Sequence, residues 1–232
     1  MKTYIDTKKI RRRSLLSNVM SVGGLLTLLA SVILPLFIPS LTNLSFALMI
    51  AGLGVSMVGI YFANRWVRKP RPEEQLNKAL KSLSDSCHLY HYPDLPCDHI
   101  LLTPSSVMIL ETVGFGGVFS YQKGKWKEQM TIGRALRWIV EEHLGNPIRA
   151  VHGAEGYLRD QLEKLEIPTE KFTIKSMIVF THPAVELEVQ GSPIPVVKVE
   201  KLRKQITINQ KKIDDDLYLR MDEYFKDLTQ KI

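Results

Sequence analysis

Between Ser14 and Ile38, and again between Ser40 and Asn64, the chain carries no charged side chain. Each stretch exceeds the ~20 apolar residues that a helix needs to cross hydrocarbon. A cleaved signal peptide would share the basic start of the first stretch. Its apolar run would be shorter, and a small-residue cleavage site would follow it. Pro35, Pro39 and the polar "SLTN" at 40 to 43 supply a break between the stretches. The pattern predicts a transmembrane helical hairpin over residues 14–65.

The flanks orient it. Ten of the 31 lysines and arginines fall in residues 1–13 and 65–71, against one of the 24 acids, Asp6. The formal charge of +7 therefore belongs to the flanks, and the remainder holds 21 basic residues against 23 acidic ones. Basic clusters precede the first span and follow the second, while the connecting turn has none. The positive-inside rule then sets both termini in the cytoplasm, with two spans between them. Trp66 and Tyr61 suit the interface. Gly23, Thr27 and Ser31 recur every four residues, as do Gly52 with Ser56 and Gly59 with Ala63. Small residues at that spacing allow close helix approach, so the expected partners are the lipid bilayer and a second copy or another membrane protein.

Beyond a stiff linker at 66–72, "KPRPEEQ" starts a helix with Pro72 and Glu73, and Leu76, Ala79, Leu80 and Leu83 mark one helical face. Hydrophobic residues make up 45% of the chain, enough for a packed core. Short extended pieces are expected at 87–92, 98–103 and 107–113, with "TPSS" as a turn and "GFGG" as a bend. A strand is expected near 118–121. Helices are expected over 132–144 and from "NP" at 146 to about Leu165. Strands should follow at 172–180 and 195–199, and a short helix at 200–206. From Asp214, Leu217, Met221, Phe225 and Leu228 form one helical stripe, so 209–232 reads as a C-terminal amphipathic helix. The class is α/β. Cys87 and Cys97 show no metal or disulfide spacing and read as reduced thiols.

The block "DHILLTPSSVMILETV" carries the chemistry. A turn centred between Pro104 and Ser105 pairs residues whose numbers sum to 209, which sets Asp98 opposite Glu111. Cross-strand partners stand ~5 Å apart on one face. Two carboxylates that close repel unless a proton or a metal ion lies between them, and oxygen ligands favour a hard ion such as Mg²⁺. The alternative is plain: Asp98 caps the start of a strand, and Glu111 ends one at a solvated rim.

"CDHILLTPSSVMILET", followed by "GG", "KGKW", "NP" and "MIVF", resembles the NERD (nuclease-related) domain family. The resemblance covers residues 73 to 206, within a domain drawn at 73–208. It implies a restriction-endonuclease-like, PD-(D/E)xK fold: a mixed sheet flanked by helices. "EEQLNKALKSL" is similar to the family's opening helix, with Glu73 in the place of its helical acid. The resemblance implies that Glu73, Asp98 and Glu111 would hold a divalent metal, and that a lysine two residues after the last acid completes the catalytic site. That position is Val113. A lysine there would stabilise charge developing on a phosphorane; an isopropyl group cannot. Where the family offers a glutamine after "NP", this chain has Ala150.

These departures imply a membrane-anchored, cytoplasm-facing, degenerate nuclease that keeps a binding or interaction role. Two alternatives stay open. One is an active Mg²⁺-dependent nuclease whose lysine has migrated to Lys123 or Lys125; the other is a structural membrane module with no metal. Lys123, Lys125 and Lys127 are the candidate contacts to nucleic acid, although the near-neutral soluble part offers no broad basic face. His99 points away from Asp98 and reads as packing. The remaining histidines have no ligand spacing, and no P-loop, GxSxG or GxGxxG occurs.

Overall fold

A computed structural model describes residues 1–130, 143–207 and 212–230. The helix expected over 132–144 falls almost wholly outside them. Two compact units divide the chain: residues 7–71 with 130–143, and residues 1–6 with 72–129 and 144–232.

Residues 7–66 of the first unit are almost wholly helical. Helix α1 (Thr7–Phe37) and helix α2 (Thr42–Trp66) are joined by a 3₁₀ turn at Pro39–Leu41. Both are long and apolar enough to cross a membrane, with mean hydropathies of 2.2 and 2.0 over an apolar run of 18 residues in each. Their packing is inside-out relative to a soluble bundle. Leu36 and Ile50 are 75% and 70% exposed, whereas Ser17, Gly24 and Ser31 of α1 and Ser45, Gly52 and Gly59 of α2 are buried. The repeat is seven residues and continues to Ile10 and Trp66, the spacing of a left-handed helix pair. A Cβ built on Gly24 would lie 2.6 Å from the Ser56 amide nitrogen, and one on Gly59 would lie 2.6 Å from that of Ser21. Ser17 Oγ donates to the Gly59 carbonyl at 3.0 Å. Of the small residues spaced by four, Ser31, Gly52, Ser56 and Gly59 lie in this seam and Gly23 does not. Nothing stands within 4 Å of a Cβ at Gly23, and Thr27 Oγ1 donates within its own helix to the Gly23 carbonyl.

The second unit is an α/β domain. Its main sheet has six strands in the order β1-β2-β3-β4-β7-β9. They are β1 (Lys2–Ile5), β2 (His88–His91), β3 (His99–Thr103), β4 (Ser106–Val113), β7 (Thr173–Phe180) and β9 (Val196–Lys198). The sheet is mixed: β2-β3-β4 run antiparallel, and β1, β7 and β9 join in parallel. The edge strand β1 comes from residues expected as part of a basic tail at 1–13. A smaller sheet orders β6 (Lys125–Glu128), β5 (Gly117–Gln122) and β8 (Val185–Val189). Lys123 and Gly124, at φ 50° and 78°, close the β5–β6 hairpin, the left-handed pair that a two-residue turn demands.

Alternation along the strands feeds two cores. Ile100, Leu102, Val107 and Ile109 pack on Ala154, Leu158 and Leu162 of α4 (Pro147–Lys164) and on Leu217, Met221 and Phe225 of α6 (Asp215–Thr229). Leu89, Leu101, Met108 and Leu110 pack on Leu76 and Leu80 of α3 (Pro72–Leu80) and on Val199 and Leu202 of α5 (Val199–Gln205). A third cluster joins Val113, Phe115, Phe119, Val151, Ile178, Phe180, Val185 and Ile194. Helix starts follow the local chemistry. Asn146 and Asp214 cap α4 and α6 by accepting from the Arg149 and Asp216 amides, and Pro147 opens α4.

Candidate functional site

The expected hairpin register holds: His99 pairs with Leu110 and Ile100 with Ile109. Carried one step past the end of β3, it sets Asp98 beside Glu111, both half-buried. Helix α3 arrives at the same edge. A Cβ on Gly114, just beyond β4, would lie 3.7 Å from Pro72 Cγ. Glu73, in the first turn of α3, is 1% exposed and its Oε2 accepts from the Tyr92 hydroxyl at 2.7 Å. Tyr92 is in the left-handed region at φ 59°, and its amide donates to the Asp98 carbonyl at 2.6 Å. That single backbone kink carries the chain from β2 toward β3 and delivers a phenol to Glu73.

Behind the edge runs a buried polar chain. At its exposed end Thr3 Oγ1 of β1 donates to Asn77 Oδ1 at 3.1 Å, and His91 Nε2 meets the same oxygen at 3.1 Å. His91 Nδ1 lies 2.8 Å from His99 Nδ1, and His99 Nε2 lies 3.3 Å from Thr112 Oγ1. One assignment satisfies every atom: Thr112 donates to His99, His99 to His91, and His91 to the Asn77 amide oxygen. It requires His91 to be neutral, with Nδ1 accepting and Nε2 donating. Burial, and secondarily the neighbouring His99, hold His91 well below the usual histidine range, in keeping with that assignment. His99 is fully buried and sits on the face opposite Asp98, as its position in the strand predicts.

Val113 does not border an open corner. It is 5% exposed and belongs to the cluster with Phe115, Phe119, Ile178 and Phe180. Lys123 and Lys125 lie in and after the β5–β6 turn, and both are exposed; so is Lys127. Lys127 faces Ser120, which in turn faces Glu188 of β8, so an acid shares its row. Ala150 is exposed in the first turn of α4.

Sequence reasoning missed three groups. Tyr92 carries no signal in "HYP" that it would turn back to Glu73. Asn77 follows Leu76 on α3 and gives none either. Glu155 could have been found, because it falls four residues after Val151 on the sheet-facing stripe of α4. It accepts a short hydrogen bond from Ser176 Oγ of β7, and His152 Nδ1 stands 3.6 Å from its other oxygen.

The chemistry available is that of carboxylates at the end of a β-hairpin, with a phenol on one of them. Residues 69–181 match the model of the NERD family, the nuclease-related domain. The chain carries a NERD domain. No curated protein and no solved structure matches it. A nuclease-related domain implies a divalent metal, and carboxylate oxygens are the donors a hard ion takes. Among the described residues, however, no group of three or more His, Cys, Asp or Glu side chains comes together to hold one. Glu73, Asp98 and Glu111 share the open end of the β3–β4 hairpin without forming a ligand cluster, and no catalytic step is derived through a metal.

Proposed function

We propose that this chain is a membrane-anchored NERD domain, facing the cytoplasm, that no longer cleaves phosphodiesters and serves a binding or interaction role. The observation that carries the reading is the burial of Val113. A nuclease of the type that the resemblance implies would have an ammonium two residues after Glu111. Here that direction leads into an apolar cluster containing Phe119 and Phe180, both fully buried. Burying an unpaired ammonium costs several kcal/mol, so the position disfavours any cation. Losing one preorganised contact of this kind lowers rates by ~10²–10³. Lys123 and Lys125, the other candidates, are exposed at a turn of the smaller sheet.

Anchoring and orientation rest on separate support. Strand β1 precedes α1 and pairs with β2, which follows α2. That the segments before α1 and after α2 meet in one sheet supports both ends of the hairpin lying on one side of a bilayer. The basic flanks favour the cytoplasm for that side.

Incubating the full chain in detergent with duplex DNA, single-stranded DNA and RNA, in Mg²⁺ or Mn²⁺, tests the catalytic part. No product is expected beyond that of Asp98→Ala and Glu111→Ala variants. Product formed by the native chain and lost in both variants would overturn the proposal.

A further inference from the structure

Helix α1 begins at Thr7, seven residues before the charge-free stretch, so its basic segment is a helical extension and not a loose tail. Lys8, Arg11, Arg12 and Arg13 project from that extension, and Arg68 and Lys69 follow the end of α2; all six are exposed. None of the six forms an ion pair among the described residues. On α1 they spread around the helix, leaving out the side of Ile10, which is buried in the hairpin seam. Arg13 lies over the Phe62 ring at 5.7 Å and Arg65 over Trp66 at 5.5 Å, so guanidinium groups are held against aromatic rings at this end of the hairpin. The exposed surface turns apolar at once: Leu15 is 62% exposed and Val19 60%.

We infer that this end of the hairpin is a collar for anionic phospholipid headgroups. The inference rests on the membrane reading and adds a lipid preference to it. Topology needs only an excess of lysine and arginine on one side. It does not need four of them carried on a helix and spread around it on every side but the seam, with none of the six in an ion pair among the described residues. Unpaired cations directly above exposed apolar side chains match a layer of lipid phosphate, which surrounds a rod from all sides. A nucleic-acid duplex would instead call for cations gathered on one face.

The test uses the full chain in nanodiscs of phosphatidylcholine mixed with phosphatidylglycerol, where both leaflets are equal and insertion direction has no influence. Lipid that stays with the protein after mild detergent extraction is quantified by mass spectrometry. Phosphatidylglycerol should be enriched about twofold or more over the bulk mixture. Enrichment should fall toward bulk in Arg11→Gln/Arg12→Gln/Lys69→Gln, with circular dichroism unchanged. Equal retention of both lipids, or enrichment untouched by these substitutions, overturns the collar. So does an oligonucleotide that binds the native chain in pure phosphatidylcholine discs and is released by the same substitutions. A chain that fails to enter the discs, and is stripped from membranes by alkaline carbonate, overturns the membrane reading as well; a chain that enters without lipid preference overturns the collar alone.

Discussion

Two carboxylates are buried among the described residues, Glu73 at 1% and Asp222 at 4% exposure, and their surroundings differ. Asp222 on α6 is closed in. Lys226 Nζ donates to its Oδ2 at 2.6 Å, His88 Nδ1 lies 2.6 Å from its Oδ1, and the Tyr90 hydroxyl donates to that same oxygen. Tyr4 of β1 stacks on Tyr90 at 5.2 Å, and its ring lies beneath the Lys226 ammonium. Burial alone would raise the Asp222 carboxyl. The hydrogen bonds from Lys226, Tyr90 and His88 outweigh it and hold the group below the ordinary carboxylate value. Glu73 instead sits by the open end of the β3–β4 hairpin with Asp98 and Glu111, and accepts from the Tyr92 phenol. The lesson is about where the fold spends a lysine. Beside Asp222 a cation fastens α6 and β1 onto β2. Beside Glu111, where a nuclease would have its cation, the chain places Val113 in the core.

The comparison breaks most readily at Val113. Val113→Lys should lower stability by roughly 3–5 kcal/mol, because its ammonium enters an apolar cluster. Val113→Met, similar in length and uncharged, should cost only about 1–2 kcal/mol. Denaturant unfolding of the α/β domain within the full chain separates them; equal losses would mean that the position tolerates charge. Asp222→Asn comes next. It removes the anion that Lys226 and His88 address, and a loss of roughly 2–3 kcal/mol is expected by the same measurement. An unchanged midpoint would make that cluster incidental.

Acid sharpens the contrast between the clusters. His91 is held neutral in the fold, so the unfolded chain takes up a proton more readily once pH falls below its ordinary value of 6.5. Stability from this group is complete above that pH and should decline below it, by at most about 1.4 kcal/mol per pH unit. Asp222 has the opposite charge chemistry and a lower window. Its contribution is complete above the ordinary value of 3.8 and disappears only as pH falls through its depressed value. Melting between pH 7.5 and 5.5 should therefore respond to His91→Gln and not to Asp222→Asn; the reverse would exchange their roles. The smallest effect is expected for Tyr92→Phe, which deletes one hydrogen bond to Glu73 and should cost about 1 kcal/mol. A much larger loss would mean that the phenol organises the whole edge.

Much of this was legible in the sequence for definite reasons. The β3–β4 register followed from a turn centre and a period of two, which also fixed the faces of Asp98, His99 and Glu111. Charge-free length identified both apolar helices, and the "NP" break and Asp214 marked the starts of α4 and α6. Of the small residues read for close helix approach, Ser31, Gly52, Ser56 and Gly59 lie in the seam between α1 and α2, whereas its period of seven was not legible, because only backbone proximity tells Gly24 from Gly23. Strand β1 was hidden because its four residues lie far in sequence from β2, and an edge strand needs a partner to exist. The polar contacts of Tyr92 and Asn77 depend on one left-handed residue and one helix position, which no local pattern encodes.

Solvent access at position 113 is the most direct measurement of the central claim. Cys87 and Cys97 are both buried and in no disulfide, so Val113→Cys adds one thiol to a background of two shielded ones. A charged thiol reagent applied to the folded full chain should leave that thiol unmodified until denaturant opens the domain. Modification in the native state, at the rate of an exposed thiol, would mean that this corner opens onto the acid edge and is not core.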